Sequence, residues 1–241
     1  MDLQLRDKVA LLVGGTGSIG RVVAAGFVAE GATVVVADLP AKLEGFHAAT
    51  VVPIDVADEP SVCEAVAEVI RRHRRIDILV VLAGVFQARP IAELAAADWD
   101  RVMEINLRGT FLVCREVVPQ MQRSDYGRVI CFASLAGQVG GLVAGADYAA
   151  SKAGVLSLVK SLARQTPQPW ITINAISPGP VEGEMTAAWP EEDRRAMTSR
   201  IPLGRFARPG EIADVVLFLS SPRAAYIHGA RIDVNGGIYM D

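Results

Sequence analysis

The chain has 241 residues, a hydrophobic share of 51% and a formal net charge of −3 at pH 7, which suits one α/β domain with a large core. Charges of both signs are interspersed, so there is no basic stripe for nucleic acid, and no apolar run approaches the length that spans a membrane. The opening Met1-Asp2-Leu3-Gln4 lacks the basic and apolar regions of a secretory leader, and a cytoplasmic protein with neither a nucleic-acid nor a membrane partner is expected.

An apolar run at Val9–Val13 predicts the first strand, and the amphipathic period over 19–30 predicts the first helix. Between them lies Gly14-Gly15-Thr16-Gly17-Ser18-Ile19-Gly20, in which Gly15, Gly17 and Gly20 fit G-x-G-x-x-G. Missing side chains allow a tight turn whose N–H groups approach a pyrophosphate, and the helix start adds positive potential. A second strand at 33–37 ends at Asp38. A carboxylate there accepts hydrogen bonds from both adenosine-ribose hydroxyls and repels a 2′-phosphate, which favours NAD over NADP. Leu39 follows rather than a basic residue, and Arg21, early in the helix, is expected to point elsewhere. A third strand at 51–54 runs into Asp55 and Val56. Asp55 either hydrogen-bonds the adenine edge, the reading preferred here, or caps the next helix.

Further along, helices are predicted over 61–72, 99–121, 148–165 and 212–219, and strands over 78–83, 128–132, 171–176 and Arg231–Val234. Alternating strands and helices imply βαβ units. The expected fold is a single-domain, Rossmann-type, doubly wound parallel sheet over 1–241, with its crevice at the carboxyl ends of the strands. The segment 182–201 breaks the rhythm with Pro190, the charge run Glu191-Glu192-Asp193-Arg194-Arg195, and isolated Met185, Trp189 and Met197. It is expected to cover the crevice as a lid. The alternative is a surface helix with solvated charges.

Tyr148 and Lys152 lie four residues apart, on one face of their helix. A phenol with a pKa near 10 is a poor base at neutral pH, and a neighbouring ammonium stabilises its phenolate. Ser134 follows the fifth strand, where its hydroxyl can hold a substrate oxygen beside the tyrosine. Asn106 inside the long helix either satisfies a helix irregularity or holds a relay water. Cys63, Cys114 and Cys131 are odd in number and far apart in sequence, so buried free thiols are expected. His47, His73 and His228 stand at no ligand spacing, and no catalytic metal is expected.

These residues resemble the short-chain dehydrogenase/reductase family over nearly the whole chain. The marks are Gly14–Gly20, Asp55-Val56, Ala83-Gly84, Asn106, Ser134, Tyr148-x-x-x-Lys152, Asn174 and Pro178-Gly179, with a 3-oxoacyl reductase-like stretch from Pro202-Leu203-Gly204-Arg205 to Gly236-Gly237. The resemblance implies a seven-stranded parallel sheet and a homotetramer built through the long helices. It implies Tyr148 as acid/base, Ser134 positioning the substrate oxygen, Lys152 lowering the tyrosine pKa and binding the nicotinamide ribose, and Asn106 holding the relay water. The implied NAD contacts are Gly14, Gly15, Gly17, Ser18, Ile19, Gly20, Asp38, Asp55, Val56, Ala83, Gly84, Tyr148, Lys152, Pro178, Gly179 and Val181. The chain departs from the family pattern at Val13 for Thr, Ser18 for Gly, Val81-Leu82 for Asn-Asn, Gly183 for the Thr that contacts the nicotinamide amide, and Asn235 for Asp.

The leading expectation is an NAD-dependent enzyme interconverting a small secondary alcohol (polyol, sugar, cyclic alcohol or hydroxysteroid) and its ketone. Specificity is expected near Phe86-Gln87, 138–144 and 185–197. The alternative is an NADPH-dependent 3-oxoacyl-carrier-protein reductase, against which stand Asp38 and the lack of an Arg/Lys docking cluster. A non-catalytic dinucleotide-binding protein is a third reading, opposed by the intact Ser134, Tyr148 and Lys152.

Overall fold

The computed structural model describes residues 2–47, 50–141 and 143–241; Met1, Ala48, Ala49 and Leu142, the last within the expected specificity loop, lie outside it. Among the described residues the strands are β1 (Val9–Val13), β2 (Thr33–Asp38), β3 (Thr50–Pro53), β4 (Ile78–Val81), β5 (Gly127–Phe132), β6 (Ile171–Pro178) and β7 (Arg231–Val234). All neighbours are parallel, in the order β3-β2-β1-β4-β5-β6-β7, the doubly wound arrangement expected. Central strands such as β1, β5 and β6 are buried along their whole length, which is why they read as continuous apolar runs.

The helices are α1 (Ser18–Ala29), α2 (Pro40–Leu43), α3 (Glu59–His73), α4 (Ala96–Met103), α5 (Gly109–Met121), α6 (Ala136–Val139), α7 (Ala146–Gln165), α8 (Glu184–Ala187), α9 (Glu191–Thr198) and α10 (Pro209–Ser220). Alternation along each strand divides the core between the two faces. Leu11, Val13, Leu79 and Val81 pack with Val66 of α3, Val117 of α5 and Val155 of α7. Leu12, Val36, Ile78 and Val80 pack with Phe27 of α1 and Val216 of α10.

Two expectations change. The helix predicted over 99–121 is interrupted by a π-helical turn at Glu104–Arg108. Its centre, Asn106, is fully buried, and the Thr110 hydroxyl donates to the Asn106 carbonyl at 2.7 Å, occupying an acceptor that a widened turn leaves over. Of the cysteines expected to be buried free thiols, Cys63 is only half-buried. Cys114 of α5 and Cys131 of β5 are buried free thiols with sulfurs 3.8 Å apart, and contact with Cys131 together with burial pushes the Cys114 thiol well above its ordinary value.

At the opposite end of the sheet from the crevice, Asp77 is fully buried. It accepts from the Val9 N–H at 2.9 Å and from Arg75 Nε at 2.7 Å, tying the start of β1 to that of β4. Removing one member of such a set leaves its partners unpaired, at about 2–4 kcal/mol. Asp77→Ala is therefore expected to lower the urea-unfolding free energy by about that amount; a loss below about 1 kcal/mol would contradict it.

Candidate active site

Where the strand order turns at β1 and β4, the loops at the carboxyl ends of the strands enclose a cleft of ≈ 460 Å³. Its first wall is the glycine turn. Gly14 has φ +79, and a Cβ there would stand 2.4 Å from the Ala83 backbone N, so only glycine lets β1 and β4 close at this point. A Cβ on Gly17 would meet open space on the cleft side, and Gly17 begins α1 without a side-chain cap. The free N–H groups and positive end of α1 thus face the cleft, a cradle suited to an anionic diphosphate. Where the family has an Asn tether, this chain uses backbone: Leu82 and Ala83 N–H both donate to the Val13 carbonyl, at 2.8 and 2.9 Å.

Asp38 is buried at the end of β2. Its Oδ2 accepts from the Thr16 hydroxyl at 2.6 Å and the Thr16 N–H at 3.3 Å, and its Oδ1 from the Leu39 N–H at 2.9 Å. Lys42 Nζ lies 4.0 Å from Oδ1 but is largely solvent-exposed. Arg21 donates to the Thr16 carbonyl at 2.6 Å and packs over Phe46, and it does not line the cleft. Asp55 lines the cleft and accepts from the Ala57 N–H at 2.9 Å; the N-cap of α3 is instead Asp58, which accepts from the Ser61 N–H at 3.1 Å. The capping alternative for Asp55 thus reduces to the turn before the helix.

At the far end, α7 presents Tyr148 and Lys152, and the loop after β5 presents Ser134; all three line the cleft. Lys152 is buried and donates to the Phe132 carbonyl at 2.7 Å. Burial pushes its ammonium down to about 8, against a smaller opposing effect of Cys131. Part of the Tyr148 side chain is open to the cleft, yet desolvation pushes its hydroxyl above the ordinary tyrosine value, and a hydrogen bond with Ser134 pulls it partway back. Lys152 Nζ stands 5.8 Å from the Tyr148 ring centroid.

Asn106 lies beneath the cleft rather than in its lining. Its Oδ1 accepts from the Val85 N–H at 2.8 Å, and its Nδ2 donates to the Val85 carbonyl and the Ser151 hydroxyl, both at 3.0 Å. Both amide protons and one lone pair of Oδ1 are thereby engaged in fixing the β4 exit against α7. Gly15 is also off the lining, against Val36 and Leu12 under the turn. The other expected contacts, Gly14, Gly17, Ser18, Ile19, Gly20, Asp38, Asp55, Val56, Ala83, Gly84, Pro178, Gly179 and Val181, line one continuous surface. Of the expected specificity residues, Phe86, Val139, Val143, Ala144, Met185, Trp189 and Met197 line it too. The segment 182–201, which forms α8 and α9, borders the cleft through Glu182–Thr186, Trp189 and Met197.

Sequence reasoning missed three things. Thr16 is the partner that orients Asp38. Asp147, fully buried beside the tyrosine, accepts from Gln87 Nε2 and from the Tyr148 N–H at 2.8 Å, holding the Phe86 loop on α7; the Phe86 and Tyr148 rings meet edge-to-face at 5.1 Å. Lys42, one helical turn beyond Asp38, also borders the cleft. None of these pairings has a local sequence signal, because each is a contact between separate elements. Among the described residues no three His, Cys, Asp or Glu side chains gather where they would hold a metal ion, and no helix is long and apolar enough to cross a membrane.

With this geometry in place, residues 14–239 match the family model described as "Enoyl-(Acyl carrier protein) reductase" (adh_short_C2). A solved structure from Brucella melitensis, described as a short-chain dehydrogenase/reductase and glucose/ribitol dehydrogenase, superposes with a TM-score of 0.92 at 34% identity over 100% of both chains. The chain belongs to the short-chain dehydrogenase/reductase family. Full-length curated relatives of this short-chain dehydrogenase/reductase include the 3-oxoacyl-[acyl-carrier-protein] reductase FabG of Thermotoga maritima, 35% identical over 99% of this chain and 100% of the relative. FabG of Aquifex aeolicus is 36% identical over the same shares, 99% and 100%. These matches overturn the expectation of a polyol, sugar, cyclic-alcohol or hydroxysteroid dehydrogenase and favour the alternative set beside it. The error has a physical source: Asp38 bears on the cofactor's ribose and not on the substrate, while the 3-oxoacyl reductase-like stretch from Pro202 to Gly237 pointed the other way.

The buried ammonium has a measurable signature. Its folded pKa of about 8 lies below its ordinary 10.5, so the cost of the buried charge is present in full below pH 8. Stability is regained as pH rises toward 10.5, because the folded state releases the proton first. The cost at neutral pH is at most about 3 kcal/mol. Relative to Lys152→Met, wild-type stability in urea titrations is expected to be lower at pH 7, with the gap closing between pH 8 and 10. A gap that stays constant over that window would rule out the buried ammonium.

Proposed function

We propose that this chain is an NADH-using reductase of 3-oxoacyl thioesters carried on an acyl carrier protein. The observation that carries the substrate class is the full-length likeness to the two 3-oxoacyl-[acyl-carrier-protein] reductases. The electrostatics of the cleft favour the reductive direction. A ketone that receives a hydride needs a proton at its oxygen, and a desolvated Tyr148 hydroxyl, held above its ordinary value, keeps its proton at neutral pH and delivers it as an acid. Ser134, on the same cleft wall as the tyrosine, offers a second donor to the carbonyl oxygen. When bound, the nicotinamide supplies the hydride.

Lys152 has donors left beyond its bond to Phe132, and these suit the nicotinamide-ribose hydroxyls and a proton path to Tyr148. Asn106 serves as a positioning residue that keeps the Val85 backbone, and with it the substrate loop, in register with α7. The segment 182–201 acts as the lid.

Asp38 supports NADH. Thr16 and Leu39 pin its carboxylate, which retains lone pairs for ribose hydroxyls and opposes a 2′-phosphate. Lys42 works the other way, but an exposed pair at 4.0 Å is worth under about 1 kcal/mol. A homotetramer through the long helices agrees with the exposed Phe111 on α5.

With acetoacetyl-thioester substrates, kcat/KM is expected to be at least about tenfold higher with NADH than with NADPH, and Asp38→Ser is expected to narrow or invert that ratio. Tyr148→Phe should lose about 10²–10⁴ in kcat without losing the dinucleotide. Preference for NADPH in the wild type would refute the cofactor reading. Absence of thioester reduction with either cofactor would refute the substrate reading.

A further inference from the structure

Two departures from the family pattern, Ser18 and Gly183, are far apart in sequence and meet at the cleft edge. Ser18 opens α1 on the glycine turn, and its Oγ accepts from the Glu184 N–H at 3.2 Å. A Cβ on Gly183 would stand 2.7 Å from Ser18 Oγ and 2.8 Å from Ser18 Cβ, closer than such atoms approach. The serine therefore fills the space that a side chain at 183 would need. Both residues line the cleft.

Beyond that contact, the lid is tied to itself and to the stretch around Phe206 and Ala207, where the Glu182 N–H donates to the Ala207 carbonyl at 2.8 Å. Arg194 binds the Glu182 carboxylate at 2.9 and 3.1 Å and the Thr186 carbonyl at 3.0 Å. The Thr186 hydroxyl donates to the Val181 carbonyl, just before the segment, at 2.7 Å. Trp189 stands edge-on to Phe206 at 5.9 Å. Among the described residues, Ser18 to Glu184 is the one hydrogen bond between the segment 182–201 and the glycine turn.

We infer that Ser18 is a positioning residue that links dinucleotide binding to lid closure, through its bond to Glu184 and its fit against Gly183. This rests on the dinucleotide reading of the cleft. Ser18 uses a lone pair toward Glu184, and its proton is left to donate to an anionic oxygen at the uncapped start of α1. A hydroxyl that donates becomes a better acceptor, so an occupied cradle tightens the lid contact, and by linkage a seated lid tightens the dinucleotide.

The test measures NADH affinity by fluorescence and tryptic cleavage at Arg195 and Arg200, with and without NADH, in full-length wild type, Ser18→Ala, Ser18→Gly, Gly183→Ala and the Ser18→Gly/Gly183→Ala double variant. In the wild type NADH is expected to slow cleavage. Ser18→Ala should weaken NADH binding about tenfold, the equivalent of one hydrogen bond, and abolish most of the protection, while thermal unfolding without NADH stays close to wild type. Gly183→Ala, which carries backbone strain at φ +158 in either background, should weaken binding more when Ser18 is present than in the Ser18→Gly background, the non-additivity expected of side chains in contact. Wild-type affinity and protection in Ser18→Ala, or additive effects of the two substitutions, would overturn the inference and leave the dinucleotide reading standing. Failure of the wild type to bind either NADH or NADPH would overturn both.

Discussion

The cleft depends on one constraint, the close approach of β1 and β4 where the strand order changes direction. From β1 the chain runs outward to β2 and β3, and from β4 it runs the other way to β5, β6 and β7. The connecting loops diverge and leave a crevice that no helix fills. The approach is tight enough that Gly14 admits no side chain against Ala83, and the Val13 carbonyl holds both Leu82 and Ala83. The glycine turn, the carboxyl end of β2 and the loop after β5 take their positions from this junction. A chain with the same catalytic side chains and a looser junction would not bring them onto one surface.

Burial and chemistry are coupled at the far end. Placing a lysine and a tyrosine in a desolvated wall disfavours both of their charged forms, and the two shifts run in opposite directions: the ammonium is pushed down and the phenol up. The outcome is a neutral phenol beside a cation that is only moderately stable. That is a poor arrangement for a resting base and a good one for an acid that must keep its proton until a developing alkoxide takes it. Lys152 itself is oriented by the Phe132 carbonyl.

Most of the fold was legible because it is written in periodicity. β1 and β7 begin and end as the apolar runs do, and the other strands differ by one to two residues at an end. The π turn was not legible as such, since periods of α and π turns blend over one turn. The only local sign was an asparagine where an apolar residue belongs. The glycine turn, Asp38, Ser134, Tyr148 and Lys152 were legible because chemistry restricts residue type at those points. Thr16 on Asp38, Gln87 on Asp147 and Cys114 on Cys131 were not, because residue type there is weakly restricted and the contact exists only after folding. The substrate class was hidden for a further reason. A site for a ketone is specified by two hydroxyls, whereas what flanks the ketone is read by loop side chains such as Phe86, Val143 and Trp189, whose directions no spacing rule gives.

The two departures at 18 and 183 take their meaning from a contact of this hidden kind. Taken separately, a serine in a glycine turn crowds the approach to a helix start, and a glycine at the entry to the lid removes a polar side chain from the cleft. Each alone reads as a weakness of the nicotinamide end. In space the serine hydroxyl occupies the volume that the glycine leaves and supplies a polar group on the same edge of the cleft. The pair thus fits together on this edge although neither position keeps its usual residue. The effect of changing either position therefore depends on what stands at the other, because the energy resides in their contact and not in either side chain.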